Sequence, residues 1–128
     1  ERNFFNLCVT QGRSWVLGQL NTVNQATSQT LTYIAIGSST LAPTTADTAL
    51  NAEIIRNAIG TFTTSSLTVN PPSLQMLVSF STSQGNTTLA ECGIFNSNSG
   101  GTMLAHATFT SFVKATSNTL NITYTISD

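Results

Sequence analysis

The sequence predicts a mainly β fold, an antiparallel β-sandwich-like domain with one or two short helices. From residue 61 onward, short segments of alternating apolar and polar residues are separated by turn residues, which is typical of antiparallel strands. The chain also contains 38 Ser and Thr residues, and the β-branched Thr side chain fits a pleated strand. With 128 residues it can form one domain with its own core. We expect residues 1–29 to form an N-terminal helix or arm and loop, and residues 30–128 a single β-rich domain.

The segment from Phe4 to Leu20 is the most apolar part of the chain outside the predicted strands. Its apolar residues fit one broad helical face, although Gly12 and Gly18 weaken the helix prediction by about 1 kcal/mol each relative to Ala. The alternative is an extended arm that packs on a neighbouring subunit. In either form the segment is the predicted interface, with Phe4, Phe5, Leu7, Trp15, Val16 and Leu20 as its candidate contacts.

A strand over residues 30–37 and a loop over 38–45 precede the second predicted helix, which extends over residues 47–58. Asp47 or Thr48 is expected to cap it, because a side-chain oxygen at that position can accept a free amide of the first turn. Leu50 lies on its buried stripe and anchors it to the sheet. Glu53 and Arg56 form an exposed ion pair three residues apart on this helix, and Gly60 ends it.

The rest of the chain is predicted to be strands and turns. Leu89–Phe95 and Thr102–Phe109 form a hairpin, and Gly100 and Gly101 allow the positive φ that its turn needs. The other predicted strands extend over residues 62–69, 73–81, 111–115 and 120–126.

The composition excludes several classes of protein. Charged residues make up only 7% of the chain and the net charge is −1, with four scattered basic residues, so no basic patch is available for nucleic acid. No apolar run is long enough to span a membrane, and no signal peptide is visible at Glu1 and Arg2. A surface with so little charge lacks the repulsion that keeps monomers apart, which favours oligomerisation or packing into a larger particle.

The residues that could carry chemistry are few. His106 is the only histidine, and we interpret it as a partly buried strand residue and not as the base of a catalytic triad. Glu91 lies within a strand and needs a partner, for which Arg56 and Lys114 are the candidates. Cys8 and Cys92 are expected to be small buried hydrophobes and not a disulfide. The sequence therefore predicts no enzyme, no catalytic residue, no cofactor and no metal site.

Two stretches resemble a recurrent small protein of tailed bacteriophages, and the resemblance covers the chain from residue 33 onward. The first is YIAIGSSTLAPTTADTAL at residues 33–50, followed by Glu53 and Arg56; the family pattern is IALG-x-G-x-x-x-P-x-x-x-D-x-x-L. The second is ECGIF at 91–95 with SGGTMLA at 99–105, then Lys114 and the strand at 119–126; its pattern is E-x-G-(I/L)-F-x-x-x-x-G-G-x-(M/L)-x-A-R. The chain departs from the pattern at His106, where the family has Arg, so a charged contact of that Arg is not carried over.

The resemblance implies a virion structural protein, made in the host cytoplasm, without catalytic residues. The leading hypothesis is a capsid decoration (cement) protein that binds between capsomers of the major capsid protein as a homo-oligomer, for example a trimer. The alternative is a tail-fibre or receptor-binding module that recognises a host glycan or protein. The predicted fold-keeping residues are Asp47, Leu50, Glu53, Arg56, Glu91, Gly93, Gly100 and Gly101.

Overall fold

A computed structural model describes residues 7–19, 31–64 and 73–127. These ranges contain one helix and eight strands, and the predicted mainly β, sandwich-like class is confirmed. The elements in chain order are β1 (Leu7–Cys8), α1 (Thr10–Gln19), β2 (Tyr33–Gly37), β3 (Glu53–Ala58), β4 (Thr61–Thr64), β5 (Ser73–Phe80), β6 (Thr88–Phe95), β7 (Met103–Val113) and β8 (Leu120–Ser127).

The strands form two antiparallel sheets. The large sheet has the order β1-β7-β6-β2-β3 and the small sheet the order β4-β5-β8. The predicted alternation in β5 is confirmed, because Met76, Val78 and Phe80 are buried between the sheets while the residues between them are exposed. The facing side chains of the large sheet come from β2 and β6 and include Ile34, Ile36, Cys92 and Ile94.

The large sheet is covered on its other face as well. β6 is buried from Leu89 to Phe95, which is why its sequence has little of the alternation expected of a half-exposed strand. A second apolar cluster lies on this outer face and consists of Val9, Ala35, Leu50, Phe95 and Met103. α1 packs here against β7. A Cβ on Gly12 would overlap the Leu104 carbonyl oxygen, so only glycine allows this close contact, although glycine is unfavourable within a helix.

The predicted helix over residues 47–58 is wrong. Residues 53–58 form β3, which pairs with β2 from Tyr33↔Ala58 to Gly37↔Glu53. The spacing of Leu50 and Ile54 matched a helix, but the open edge of β2 offers the backbone a ladder of hydrogen bonds, and this tertiary pairing decides the structure. Gly60 ends no helix; it lies between β3 and β4, where its amide donates to the carbonyl of Leu77 at 2.9 Å.

Two further boundaries differ from the predictions. The N-terminal segment does contain a helix, but it begins at Thr10 because Leu7 and Cys8 pair with His106 and Ala105 of β7, respectively, as a short strand. The predicted break between 109 and 111 does not occur, since β7 continues to Val113. Phe4, Phe5 and Leu20 lie outside the described residues, as does the end of the strand predicted over 62–69.

Candidate functional site

The longest connection that the structure describes joins β2 to β3 over residues 38–52 and is called here the β2–β3 loop. It contains no helix or strand, and loops of this length without regular structure are uncommon in compact domains, where they are either functional loops or disordered linkers. Small residues of the large sheet make room for it. A Cβ on Gly37 would lie 2.5 Å from the Ala52 carbonyl oxygen, and one on Gly93 would lie 2.9 Å from Cδ2 of Leu50.

Glu91 holds both ends of the β2–β3 loop. Its carboxylate is completely buried and accepts the backbone amide of Ser39 at 3.3 Å near the start of the loop. Near the end of the loop it accepts the amides of Asn51 at 3.1 Å and Ala52 at 2.7 Å. A buried carboxylate with several amide donors is stable without a Lys or Arg partner, because charged hydrogen bonds replace its hydration. The predicted partners, Arg56 and Lys114, are therefore wrong.

His106 connects Glu91 to the middle of the same loop. Its ring is completely buried, with Nε2 at 2.9 Å from Oε2 of Glu91 and Nδ1 at 2.7 Å from Oδ2 of Asp47. His106 lies opposite Gly93 on the neighbouring strand β6, whose missing side chain leaves space on the outer face. Asp47, Glu91 and His106 are called the His106 cluster below. The expected partly buried strand histidine is thus wholly buried and bonded at both nitrogens.

Asp47 caps no helix but closes a turn of the β2–β3 loop. Its carboxylate accepts the backbone amide of Thr44 at 2.9 Å and the Thr44 hydroxyl at 2.6 Å. Burial alone would raise the pKa of Asp47, but the hydrogen bonds from Thr44 and His106 and the attraction of the ring outweigh it, so the pKa lies below its usual value. The side chain is 16% exposed, which leaves one edge of the cluster open to water.

Arg56 makes a second set of polar contacts on the outer face of the large sheet. Its guanidinium binds both carboxylate oxygens of Glu53 at 2.9 and 2.7 Å and lies 3.5 Å from the ring centroid of Phe95. One terminal nitrogen donates to the carbonyls of Ser97 and Gly100 at 2.8 and 3.0 Å. The predicted ion pair exists, but it lies on a strand, and its Arg side chain is only 6% exposed.

The hairpin loop between β6 and β7, residues 96–102, is shaped for this contact. Gly100 and Gly101 have φ values of 57° and 74°, as the predicted turn requires. The side-chain oxygen of Asn96 accepts the amide of Thr102 at 2.7 Å and closes the turn. The loop therefore presents its carbonyls to Arg56 in a fixed position.

Lys114 was proposed as a partner of Glu91 and instead stabilises another loop. Its side chain is nearly buried, and its ammonium donates to the carbonyl of Ser81 and to Oδ1 of Asn86, each at 2.8 Å.

The two cysteines are free thiols. Cys8 is half-buried and Cys92 is buried. Burial, together with the neighbouring Glu91 carboxylate, raises the pKa of the Cys92 thiol to about 12, so it stays protonated and unreactive at neutral pH. Among the residues that the structure describes, no group of three or more His, Cys, Asp or Glu side chains is placed to hold a metal ion.

Large apolar side chains are exposed in the β2–β3 loop and on α1. Leu41 in the β2–β3 loop is 65% exposed, and on α1 Val16 is 43% and Leu17 67% exposed. The amide of Thr10, at the start of α1, donates to the carbonyl of Thr45 at 2.8 Å and joins the helix to the loop. Of the other predicted interface residues, Leu7 is half-buried, and the side chain of Trp15 lies outside the described part of the chain.

No protein-family model matches this chain, and neither a curated protein nor a solved structure is significantly similar to it. No helix within the described ranges is long and apolar enough to cross a membrane.

Proposed function

We propose that this chain is a structural protein of a tailed-bacteriophage virion, a capsid decoration protein that binds between capsomers as a homo-oligomer. The two stretches that carry the resemblance support this proposal, because they pack against each other. Ser39 and Leu50 come from the first stretch, Glu91 and Gly93 from the second. The Ser39 amide donates to Glu91 and Leu50 packs over Gly93, and these contacts hold the β2–β3 loop on the sheet. The shared pattern therefore corresponds to one structural device.

The observation that carries the proposal is a rigidly held loop with an apolar residue turned outward. Leu41 is exposed while the loop around it is fixed by Glu91, His106 and Asp47. A loop that is already ordered loses little conformational entropy on binding, so burial of its apolar side chain contributes more fully to affinity. This is the arrangement expected of a protein that binds a preformed surface.

The His106 cluster supports a binding role over a catalytic one. Both ring nitrogens and all four carboxylate oxygens have hydrogen-bond partners within the fold. A general base needs a nitrogen or oxygen that faces substrate or a nucleophile, and in this cluster each such atom is already engaged in holding the loop.

The location of the protein on the particle tests the proposal. Purified virions would be analysed by quantitative mass spectrometry for copy number relative to the major capsid protein, and by gold-labelled antibody for position. We expect labelling over the head and a copy number that scales with the number of capsomers. Labelling confined to the tail, at a few copies per particle, would refute the decoration role and support the receptor-binding alternative.

A matched pair of variants tests the contact surface. Leu41→Asp and Val113→Asp each place a charge on an exposed apolar residue, 65% and 70% exposed respectively. Val113 lies seven positions beyond His106 on β7, roughly 23 Å from the cluster at about 3.3 Å per residue. Loss of a buried Leu contact, about 1.5–3 kcal/mol, should weaken binding of Leu41→Asp to undecorated heads about tenfold or more. Equal binding by the two variants would contradict the proposed surface.

A further inference from the structure

The His106 ring lies between two carboxylates, and this arrangement requires an additional proton. Nδ1 and Nε2 are 2.7 and 2.9 Å from oxygens of Asp47 and Glu91. A neutral imidazole carries one N–H, so its other nitrogen would face a carboxylate oxygen with a lone pair. Both oxygens already accept backbone amides, Oε2 of Glu91 from Asn51 and Oδ2 of Asp47 from Thr44, so each faces the ring as an acceptor. Both contacts are therefore hydrogen bonds only when the ring carries two protons.

We propose that the His106 cluster is a proton-operated latch, which keeps the β2–β3 loop docked on the large sheet and releases its middle when the ring loses its second proton. The closed cluster contains one imidazolium and two carboxylates. On opening, one proton passes to water, and the net charge of the cluster changes from −1 to −2. No covalent bond forms or breaks.

The bond to Asp47 is the one that opens. Glu91 and His106 lie on paired strands of one sheet and are completely buried, so neither carboxylate nor ring can turn to water on that side. Asp47 lies on the loop and is already 16% exposed. A singly protonated ring therefore keeps its proton on Nε2 for Glu91 and presents a lone pair to Asp47, whose carboxylate moves toward solvent.

Other charged groups near the cluster are separated from it. On β3, Arg56 and Glu53 share rows of the sheet with His106 and Glu91, but Ala35, Gly93 and Gly37 lie between them. Arg13 on α1 is exposed. The thiol of Cys92 follows Glu91 on β6 and belongs to the core between the sheets. On β1, the residues opposite His106 and Ala105 are Leu7 and Cys8, and neither carries a charge that could replace the lost proton.

The latch also has an acid limit, set by Asp47. The pKa of Asp47 is lowered in the fold, so its contribution to stability is present above the pKa of the unfolded carboxyl and is lost as the pH falls through the lower folded value. Protonated Asp47 loses the charge that attracts the ring. The loop is thus held most firmly at pH values above the one at which Asp47 becomes protonated and below the one at which the His106 ring loses its second proton.

Two measurements on the same full-length protein test the latch. Nitrogen-15 NMR reports the protons on Nδ1 and Nε2 as the pH is raised, and hydrogen exchange, corrected for the intrinsic rate at each pH, reports protection of residues 38–52. We expect a doubly protonated ring while the loop is protected, and a fall in protection of tenfold or more with the same midpoint as loss of the Nδ1 proton. The loop around Asn86, which Lys114 holds, is the internal control and should not change.

Asp47→Asn distinguishes a latch from a merely structural contact. Because Oδ2 of Asp47 also accepts the Thr44 amide, Asn should keep its carbonyl oxygen at that position and still accept from Nδ1. It lacks the charge that favours the second proton of the ring, so protection of the loop should be lost at a lower pH than in wild type. Because Asp47 is partly exposed, this variant is expected to fold. A wild-type loop whose protection does not change across the ring titration, a docked loop with a singly protonated ring, or wild-type pH dependence in Asp47→Asn would each overturn the proposal.

Discussion

Replacement of Glu91 by Gln should destabilise the protein far more than its single lost charge suggests. The two carboxylate oxygens accept four hydrogen bonds, two each: from Ser39 and Ala52 to Oε1, and from Asn51 and His106 to Oε2. Gln has the same shape but only one acceptor oxygen. Its amide nitrogen would face two donors, so two hydrogen bonds would be lost and replaced by repulsion.

The expected cost follows from these contacts. Hydrogen bonds to a charged acceptor contribute about 1.5–3 kcal/mol each, so the loss of two corresponds to about 3–6 kcal/mol. That is a large part of the roughly 5–15 kcal/mol by which a domain is stable. Urea unfolding followed by circular dichroism measures the change, provided that the dependence of the free energy of unfolding on urea stays the same.

Glu53→Gln is the matched control. It makes the same chemical change in a carboxylate that is 30% exposed and bonded to Arg56, where water can replace part of the lost interaction, so the cost should be smaller than at the completely buried Glu91. Arg56 keeps its bonds to the carbonyls of Ser97 and Gly100. A Glu91→Gln protein within about 1 kcal/mol of wild type, or no less stable than Glu53→Gln, would refute the reasoning that Glu91 ties the loop to the sheet.

Three other predictions follow from the structure. Gly93→Ala should lower stability by about 1–3 kcal/mol in thermal unfolding, because its Cβ would lie 2.9 Å from Cδ2 of Leu50 and 3.1 Å from the carbonyl oxygen of Ala105, which the backbone holds in place; an unchanged melting temperature would show that Leu50 and the strand are not closely packed there. The pKa of Cys92 is raised from 9.0 to about 12, so stability should fall above about pH 9 by up to about 1.4 kcal/mol per pH unit as the unfolded thiol ionises. This slope should be smaller in Cys92→Ala, and equal slopes would contradict it. Deletion of residues 1–20 should abolish particle binding, and unchanged occupancy would exclude the N-terminal segment as a contact.

The strands were largely predictable from the sequence, and the loop contacts were not. A period of two is a local property, so β5 could be recognised from neighbouring residues alone, and Gly100 and Gly101 marked the turn between β6 and β7. The region 47–58 was misassigned because its spacing fits a helix, whereas its strand depends on the exposed edge of β2. No local pattern contains that information.

The partners of the cluster were also hidden, for a different reason. Glu91 could be recognised as a buried charge that needs partners, but the expected partners were side chains of opposite charge. Its actual partners are backbone amides of residues 39, 51 and 52, and His106, and an amide is present at almost every position of any sequence. Asp47 was predicted to cap a helix that does not form; it closes a turn with Thr44 instead, and its bond to His106 spans 59 positions of the chain.

The proposed decoration role requires that the β2–β3 loop, which Glu91 and the His106 cluster hold on the large sheet, is the surface that contacts the capsid. Electron cryomicroscopy of the intact virion tests it most directly. The account predicts density for this domain between capsomers, with the loop docked on its sheet and Leu41 buried against the capsid surface. Density for the domain on the tail, or on the head with Leu41 facing solvent, would contradict it.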